Sequence, residues 1–242
     1  MIYPKINSLY KRDGVSVGPN GEMFFDKRKT HRLLVGEYST PEYALIKRWQ
    51  VFEKVDGTNI RIIYFKNPID NEMTVLIKGR SEEAQIPSHL LQYLERTFTV
   101  DKLRVVFGKV ERVVLFGEGY GPKIQSGGVY RKDVAFILFD VVCEGWWLMY
   151  EDRLEIAAKL GIDHVPLIGD MSEEDVVAYV SCKPKSLIAI DPNYVMEGVV
   201  CCTNPLLRDR KGDILKFKLR CEDMQDAMCK MQQQEKANVQ DG

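Results

Sequence analysis

In the run Glu53-Lys54-Val55-Asp56-Gly57-Thr58-Asn59-Ile60-Arg61, a lysine stands two residues before Asp-Gly. A lysine amine attacks phosphorus only when neutral, and a free one is almost wholly protonated near pH 7. Desolvation or neighbouring cations must therefore favour its neutral form. Asp-Gly supplies a turn, and the carboxylate of Asp56 could hold the waters of a divalent cation. Taken alone, Lys-x-Asp-Gly is also an ordinary hairpin turn. The chemistry needs support from residues further along the chain.

Four later segments carry matching residue types. Val114-Leu115-Phe116-Gly117-Glu118-Gly119-Tyr120 ends a hydrophobic strand in a glutamate between glycines, which would let a ligand approach the backbone. Ala135-Phe136-Ile137-Leu138-Phe139-Asp140-Val141 offers an aromatic that could stack on a purine. Strict alternation puts Ile137, Phe139 and Val141 on one face, with Phe136, Leu138 and Asp140 on the other. Met196-Glu197-Gly198-Val199-Val200 adds a carboxylate and a slim apolar residue. In Ile214-Leu215-Lys216-Phe217-Lys218-Leu219, the two lysines share one face while Leu215, Phe217 and Leu219 pack behind. Such a face meets phosphate, or it guards an edge strand.

The elements that must position these residues alternate without a βαβ rhythm, which predicts α+β with antiparallel sheets flanked by helices. Strands are expected at 50–52, 60–65, 74–78, 113–116, 134–142, 194–201 and 214–219. Helices are expected at 41–48 (Thr40 as N-cap), 89–98, 152–160 and 173–180, with a further terminal helix from Glu222. Residues 13–22 read as a loop. The 242 residues fit one domain, and 45% hydrophobic content is enough for a full core. A net charge of −1 gives no global basic field, yet basic residues outnumber acidic ones over the first 61, concentrated at 27–32. A local cationic patch suffices to neutralise a few phosphates. Six cysteines without C-x-x-C spacing and three scattered histidines argue against structural zinc and for free thiols in a reducing compartment. No apolar run reaches membrane-spanning length and no signal peptide opens the chain, so the expectation is cytoplasmic, with no membrane partner.

In this order, the five segments resemble motifs I, III, IIIa, IV and V of the covalent nucleotidyltransferase superfamily of polynucleotide ligases and mRNA capping enzymes. The matching stretches are 54–59, 116–120, 137–141, 197–200 and 215–218. Within it, the sequence is similar to the ATP-dependent RNA ligases of phages and bacteria. Gly79-Arg80-Ser81 falls in the place of motif Ia, and Lys5-Ile6-Asn7-Ser8-Leu9-Tyr10 resembles their lead-in. The resemblance implies a nucleotidyltransferase (ATP-grasp-like ligase) domain and three steps. Lysine attacks the α-phosphate of ATP, AMP passes to an RNA 5′-phosphate, and a 3′-hydroxyl displaces AMP.

Roles follow from that resemblance. Lys54 would be the nucleophile, and Arg80 would contact the RNA phosphate or the nucleotide. Glu118 would bind ribose or order water around a metal. Phe139, rather than Phe136, would stack on adenine with Val199 against the other side of the base, while the backbone of Glu53 reads the exocyclic amine. Asp56, Glu118 and Glu197 would hold Mg²⁺ or Mn²⁺ largely through its waters. Lys216 and Lys218 would neutralise the α-phosphate in the transition state. Asn59 would touch the ATP phosphates or the RNA end.

Residues 1–242 are expected to form a single adenylyltransferase domain. Residues 1–40 would be an N-terminal extension, residues 221–242 a short helical tail, and no C-terminal OB domain would follow. The implied partner is RNA bearing 5′-phosphate and 3′-hydroxyl ends, with an accessory RNA-binding protein where extra grip is needed. The same chemistry on DNA ends or in capping, and a catalytically retired RNA-binding module, are the alternatives left open.

Overall fold

The computed structural model describes residues 1–17, 23–26 and 32–224. The chain opens with β1 (Asn7–Ser8), β2 (Tyr10–Arg12), β3 (Val15–Val17), β4 (Met23–Phe25) and β5 (Leu33–Tyr38), then a 3₁₀ turn at Pro41–Leu45. Next come β6 (Trp49–Lys54), β7 (Thr58–Lys66), β8 (Met73–Lys78), α1 (Ser88–Thr97), α2 (Val100–Phe107) and β9 (Arg112–Tyr120). After a short 3₁₀ turn at Gly127–Val129 come β10 (Ala135–Cys143), β11 (Trp146–Trp147), α3 (Tyr150–Leu160), β12 (Asp163–His164) and β13 (Leu167–Met171). The last elements are α4 (Glu173–Ser181), β14 (Gly198–Cys202) and β15 (Lys216–Arg220). The result is α+β. The described strands pair antiparallel except for β1 beside β15 and β12 beside β10.

Two compact units divide the chain. The first comprises Met1–Pro4, Val55–Pro166 and Ser186–Tyr194; the second comprises Lys5–Lys54, Leu167–Lys185 and the chain from Val195 onward. In the first, the strands run in the order β11-β10-β9-β7-β8. Alternation along β7 and β9 sends Ile60, Ile62, Tyr64, Val113 and Leu115 to one face, where Leu90 and Leu94 of α1, Leu103 of α2 and Leu160 of α3 cover them. Each fully buried leucine contributes about 2 kcal/mol. Glycine is required under α1, because a Cβ on Gly119 would lie 2.4 Å from Leu90. On the opposite face Ile63, Val114, Phe116 and Val142 form a smaller cluster with Tyr3, Phe139 and Trp147.

His164 of β12 sits in this unit, its Nδ1 at 2.7 Å from the Val165 carbonyl. Burial, helped by the Arg153 charge, pushes the imidazole down to about 4. Between that value and the unfolded value near 6.5, the unfolded chain binds more protons than the folded one. Stability present above pH 6.5 is therefore lost as the pH falls towards 4, by on the order of 3 kcal/mol in total. Urea unfolding at pH 7 and pH 5 should show that decline, and His164→Gln should flatten it. An equal decline in the variant would assign the pH dependence to other groups.

The second unit is built on a sheet ordered β1-β15-β14-β6-β13. One face packs Trp49, Val51, Val199, Cys201, Phe217 and Leu219 against Val176 and Val180 of α4 and against Leu9, Tyr10, Leu33 and Tyr43. Ser172 caps α4, its hydroxyl accepting from the Asp175 amide at 3.1 Å. Tyr10 and Tyr38 both donate to Glu173 in the first turn of that helix, each at 2.7 Å, which ties the β2–β5 ribbon to it.

Three local expectations change, and one helix had not been expected. The helix at 41–48 is a 3₁₀ turn ending at Leu45, and Thr40 makes no side-chain cap. Residues 15–17 of the expected loop are β3, paired with β4, while residues 18–22 lie outside the described residues. Residues 100–107 form a helix that Val-rich composition concealed. The strand expected at 194–201 begins at Gly198. The basic residues 27–31 and the tail beyond Met224 also lie outside the described residues. None of the described helices is long and apolar enough to cross a membrane.

Candidate active site

Lys54 is the last residue of β6, an interior strand between β14 and β13. Because Val51, Val199, Cys201, Phe217 and Leu219 take the core face, Lys54, Val200, Lys216 and Lys218 fall on the other. Three cross-strand rows result: Lys54–Gly198–Arg220, Phe52–Val200–Lys218 and Gln50–Cys202–Lys216. Lys54 Nζ donates to Glu197 Oε2 at 2.6 Å, and each side chain is 24% exposed. Lys216 is 8% exposed, and its carbonyl accepts the Tyr43 hydroxyl at 2.6 Å. β15 is flanked by β1 and β14, so its lysines guard no edge. Three lysines and one glutamate thus share one face of the second unit's sheet.

Glu53 points the other way. It is 1% exposed on the core face, and its charge adds to the burial that raises the Tyr179 hydroxyl. Only the backbone of Glu53 is thereby left for the ligand contact expected of it. Val199 is a correction: it is fully buried in the core with Trp49 and Phe217, on the face opposite the lysines. Val200, one residue on and half-buried, stands beside Lys218 instead. Arg220 was also missed, although it continues the alternation of Lys216 and Lys218. Its guanidinium meets Asp223 through two bonds of 3.0 and 3.1 Å, and Asp223 in turn receives Arg12. Burial opposes that carboxylate's charge, but the two arginines outweigh it and hold the carboxyl below its usual range.

In the first unit, Asn59, Glu118 and Ile137 form one cross-strand row. The row faces away from the helices, since a Cβ on neighbouring Gly117 would meet Phe136 at 2.2 Å on the helical side. The glycines beside Glu118 therefore serve packing under the helices, not the approach of a ligand. Asn59 Oδ1 is buried and has no hydrogen-bond partner among the described residues. Arg61, fully buried, donates to the carbonyls of Gly79 (2.7 Å) and Met1 (2.9 Å) and to Glu82 (2.9 Å). That grip on Gly79 holds the turn from which Arg80 projects, exposed. Asp56 is held by the segment after β9: Oδ2 accepts the Ser126 amide at 3.1 Å, and its own amide donates to the Tyr130 hydroxyl at 3.3 Å. Gly57 lies so close to β9 that a Cβ would reach the Gly119 carbonyl at 2.5 Å.

The alternation expected along β10 breaks at Phe139. The pairing with β9 shifts between Leu138 and Asp140, so Asp140 pairs with Phe116 and Val141 joins Phe136 and Leu138 in the helical core. Phe139 and Val142 belong to the opposite cluster. Phe136 is fully buried, edge-on to Phe98 at 5.1 Å. Phe139 is half-buried, and Tyr3 meets its ring edge-on at 5.0 Å. Among the described residues, no three His, Cys, Asp or Glu groups stand together as a metal cage.

Residues 47–218 match the family model described as RNA ligase. None of the curated proteins compared matches the chain. Among solved structures, it is similar to the Naegleria gruberi RNA ligase with PPi, at 22% identity and a TM-score of 0.52, over 72% of this chain and 49% of that one. A lysine variant of the same Naegleria ligase, with AMP and Mn, gives 21% identity and a TM-score of 0.53 over the same shares. Another lysine variant, with ATP and Mn, gives 19% and 0.55 over 93% of this chain and 64% of that one. The chain spans about half the length of the first two, and the likeness at these identities is one of fold.

Proposed function

The chain belongs to the RNA ligase family, and from that premise we propose that it seals RNA 3′-hydroxyl and 5′-phosphate ends at the expense of ATP, through a lysyl-AMP intermediate. The observation that carries this reading is the half-buried Lys54–Glu197 pair on the same strand face as Lys216 and Lys218. A nucleophile beside two further cations suits an attack on a polyanion, where positioning and charge neutralisation do most of the catalytic work.

In the first step, Lys54 gives up a proton and leaves Glu197, and Nζ bonds to the α-phosphorus as the bond to pyrophosphate breaks. An oxygen of the RNA 5′-phosphate then takes the AMP from Nζ, and the 3′-hydroxyl finally attacks that 5′-phosphate and expels AMP. Lys216 and Lys218 hold the α-phosphate through the charge changes. Phe139 supplies an aromatic surface for adenine, Val200 an apolar one, and the Glu53 backbone a contact to its amino group. The unpartnered Asn59 Oδ1 beside Glu118 suits a donor brought by a ligand, such as a ribose hydroxyl or a hydrated cation. A divalent metal, held by Asp56, Glu118 and Glu197 through its waters, would supply charge neutralisation at the phosphates. Outer-sphere binding of that kind needs no preformed carboxylate cage. Arg80 is assigned to a phosphate of the RNA or the nucleotide.

The test is an intact-mass measurement after incubation with magnesium and ATP, or GTP, followed by 5′-phosphorylated RNA. One AMP adduct on Lys54, absent with a chelator and discharged by the RNA, is the expected result. A GMP adduct would move the reading to capping, and no adduct on protein free of prior AMP would leave an RNA-binding module. Phe139→Ala should raise the ATP concentration needed for half-maximal adenylylation about tenfold, as expected for one lost stacking contact. Phe136→Ala should instead cost about 3–5 kcal/mol of stability, because it empties the core. The reverse pattern would return the stacking role to Phe136.

A further inference from the structure

We propose that Arg153 is a positioning residue for the adenine-stacking ring, holding the backbone of Phe139 where the register of β10 shifts. The inference rests on the reading that Phe139 carries adenine. A bulge leaves a residue outside the ladder, with backbone groups that need other partners. Here the partner comes from α3. Arg153 Nη1 donates to the Phe139 carbonyl at 2.6 Å and to Asp140 Oδ1 at 2.6 Å, with the arginine side chain 3% exposed and the aspartate 2%. Asp140 Oδ2 also accepts the Tyr3 hydroxyl, and the ring of Tyr3 lies edge-on to Phe139 and tilted against Phe116, both at 5.0 Å. Carbonyl, carboxylate and ring edge are thus held by one connected group.

A buried ion pair is a poor stability device, since an apolar pair of similar volume often serves as well or better. What an apolar pair cannot do is bond the Phe139 carbonyl. The register of β10 makes that bond consequential. Were β10 to alternate without the shift, Asp140 would enter the helical core and Val141 would leave it, which is the arrangement that the pairing rules out. Arg153 therefore fixes the backbone from which the Phe139 ring projects, and the planar guanidinium can serve two acceptors where a lysine ammonium on a shorter stem keeps only the charge.

Single-turnover adenylylation of Lys54 over a range of ATP concentrations tests this, in Arg153→Lys, Phe139→Ala and the combined variant. Arg153→Lys is expected to raise the half-saturating ATP concentration about tenfold, as for one lost buried hydrogen bond to a charged group, with the maximal rate within about threefold. In the Phe139→Ala background it should add nothing further, because the ring to be positioned is gone. An equal rise in both backgrounds, or none in either, would overturn the positioning role. If Phe139→Ala alone leaves the ATP dependence unchanged, the reading of Phe139 falls, and the inference with it. Should Arg153→Lys fold poorly, the Arg153→Met/Asp140→Leu pair takes its place. Native-like unfolding with unaltered ATP dependence in that pair would make the ion pair purely structural.

Discussion

Lys54→Ala is expected to abolish AMP attachment and RNA sealing outright while leaving the fold intact. Loss of a covalent nucleophile removes the route itself, so the residual rate should lie at least about 10⁴-fold below the parent. The side chain contributes little to the core: it ends β6 and is part exposed, with Glu197 as its ion-pair partner. Removing it leaves Glu197 able to reach water, so unfolding should move by no more than about 1 kcal/mol. ATP-dependent sealing that survives in a folded Lys54→Ala protein would sink the mechanism. A variant that instead arrives unfolded would show that the pair has a structural weight its exposure does not suggest.

Gly198→Ala should do nearly the opposite, damaging the site through the backbone. A Cβ at Gly198 would lie 2.2 Å from the Leu219 carbonyl and 2.6 Å from Arg220 Cα, so β14 and β15 must move apart to admit it. Both obstacles are main chain, so no rotamer change relieves them, and the cost should reach about 3 kcal/mol or more. The same displacement would shift Lys216 and Lys218 relative to Lys54, with adenylylation falling by about 10²-fold even in the molecules that fold. Chemical denaturation and the adduct assay would report the two effects separately. A Gly198→Ala protein as stable and active as its parent would mean that the strands adjust far more readily than main chain usually does.

Where alternation was anchored by a strong apolar phase, the sequence was informative. Leu215, Phe217 and Leu219 could only face a core, which sends the lysines between them to the other side. Lys54 and Glu197 were given separate roles, nucleophile and metal holder, by the family resemblance, and the structure pairs them in space. β14 offered no such anchor, because Val199, Val200, Cys201 and Cys202 are alike in size and polarity; only pairing with Lys54 and Lys218 decides which of them turns outward. Hence Val199 was chosen although it faces the core, and Val200 shares the face of the lysines. The phase of β10 beyond Phe139 was lost for another reason: the register shifts there, where an arginine of α3 bonds the Phe139 carbonyl, a tertiary partner invisible to local pattern. Likewise, the glycines around Glu118 looked like ligand clearance, yet Leu90 and Phe136 occupy the space they leave.

The parallel pairing of β1 with β15, Asn7 beside Phe217 and Ser8 beside Lys218, has a consequence for the order of assembly. A chain made from its N-terminus exposes Lys54 early, but the lysine-bearing strand cannot be laid between β1 and β14 until the last of the sheet has been synthesised. Contacts so distant in sequence form late and slowly. Unfinished or prematurely ended chains would therefore carry Lys54 without Lys216 and Lys218 on the same sheet face. On the proposed function, competence to react with ATP would then arrive in one stroke, when β15 closes the sheet.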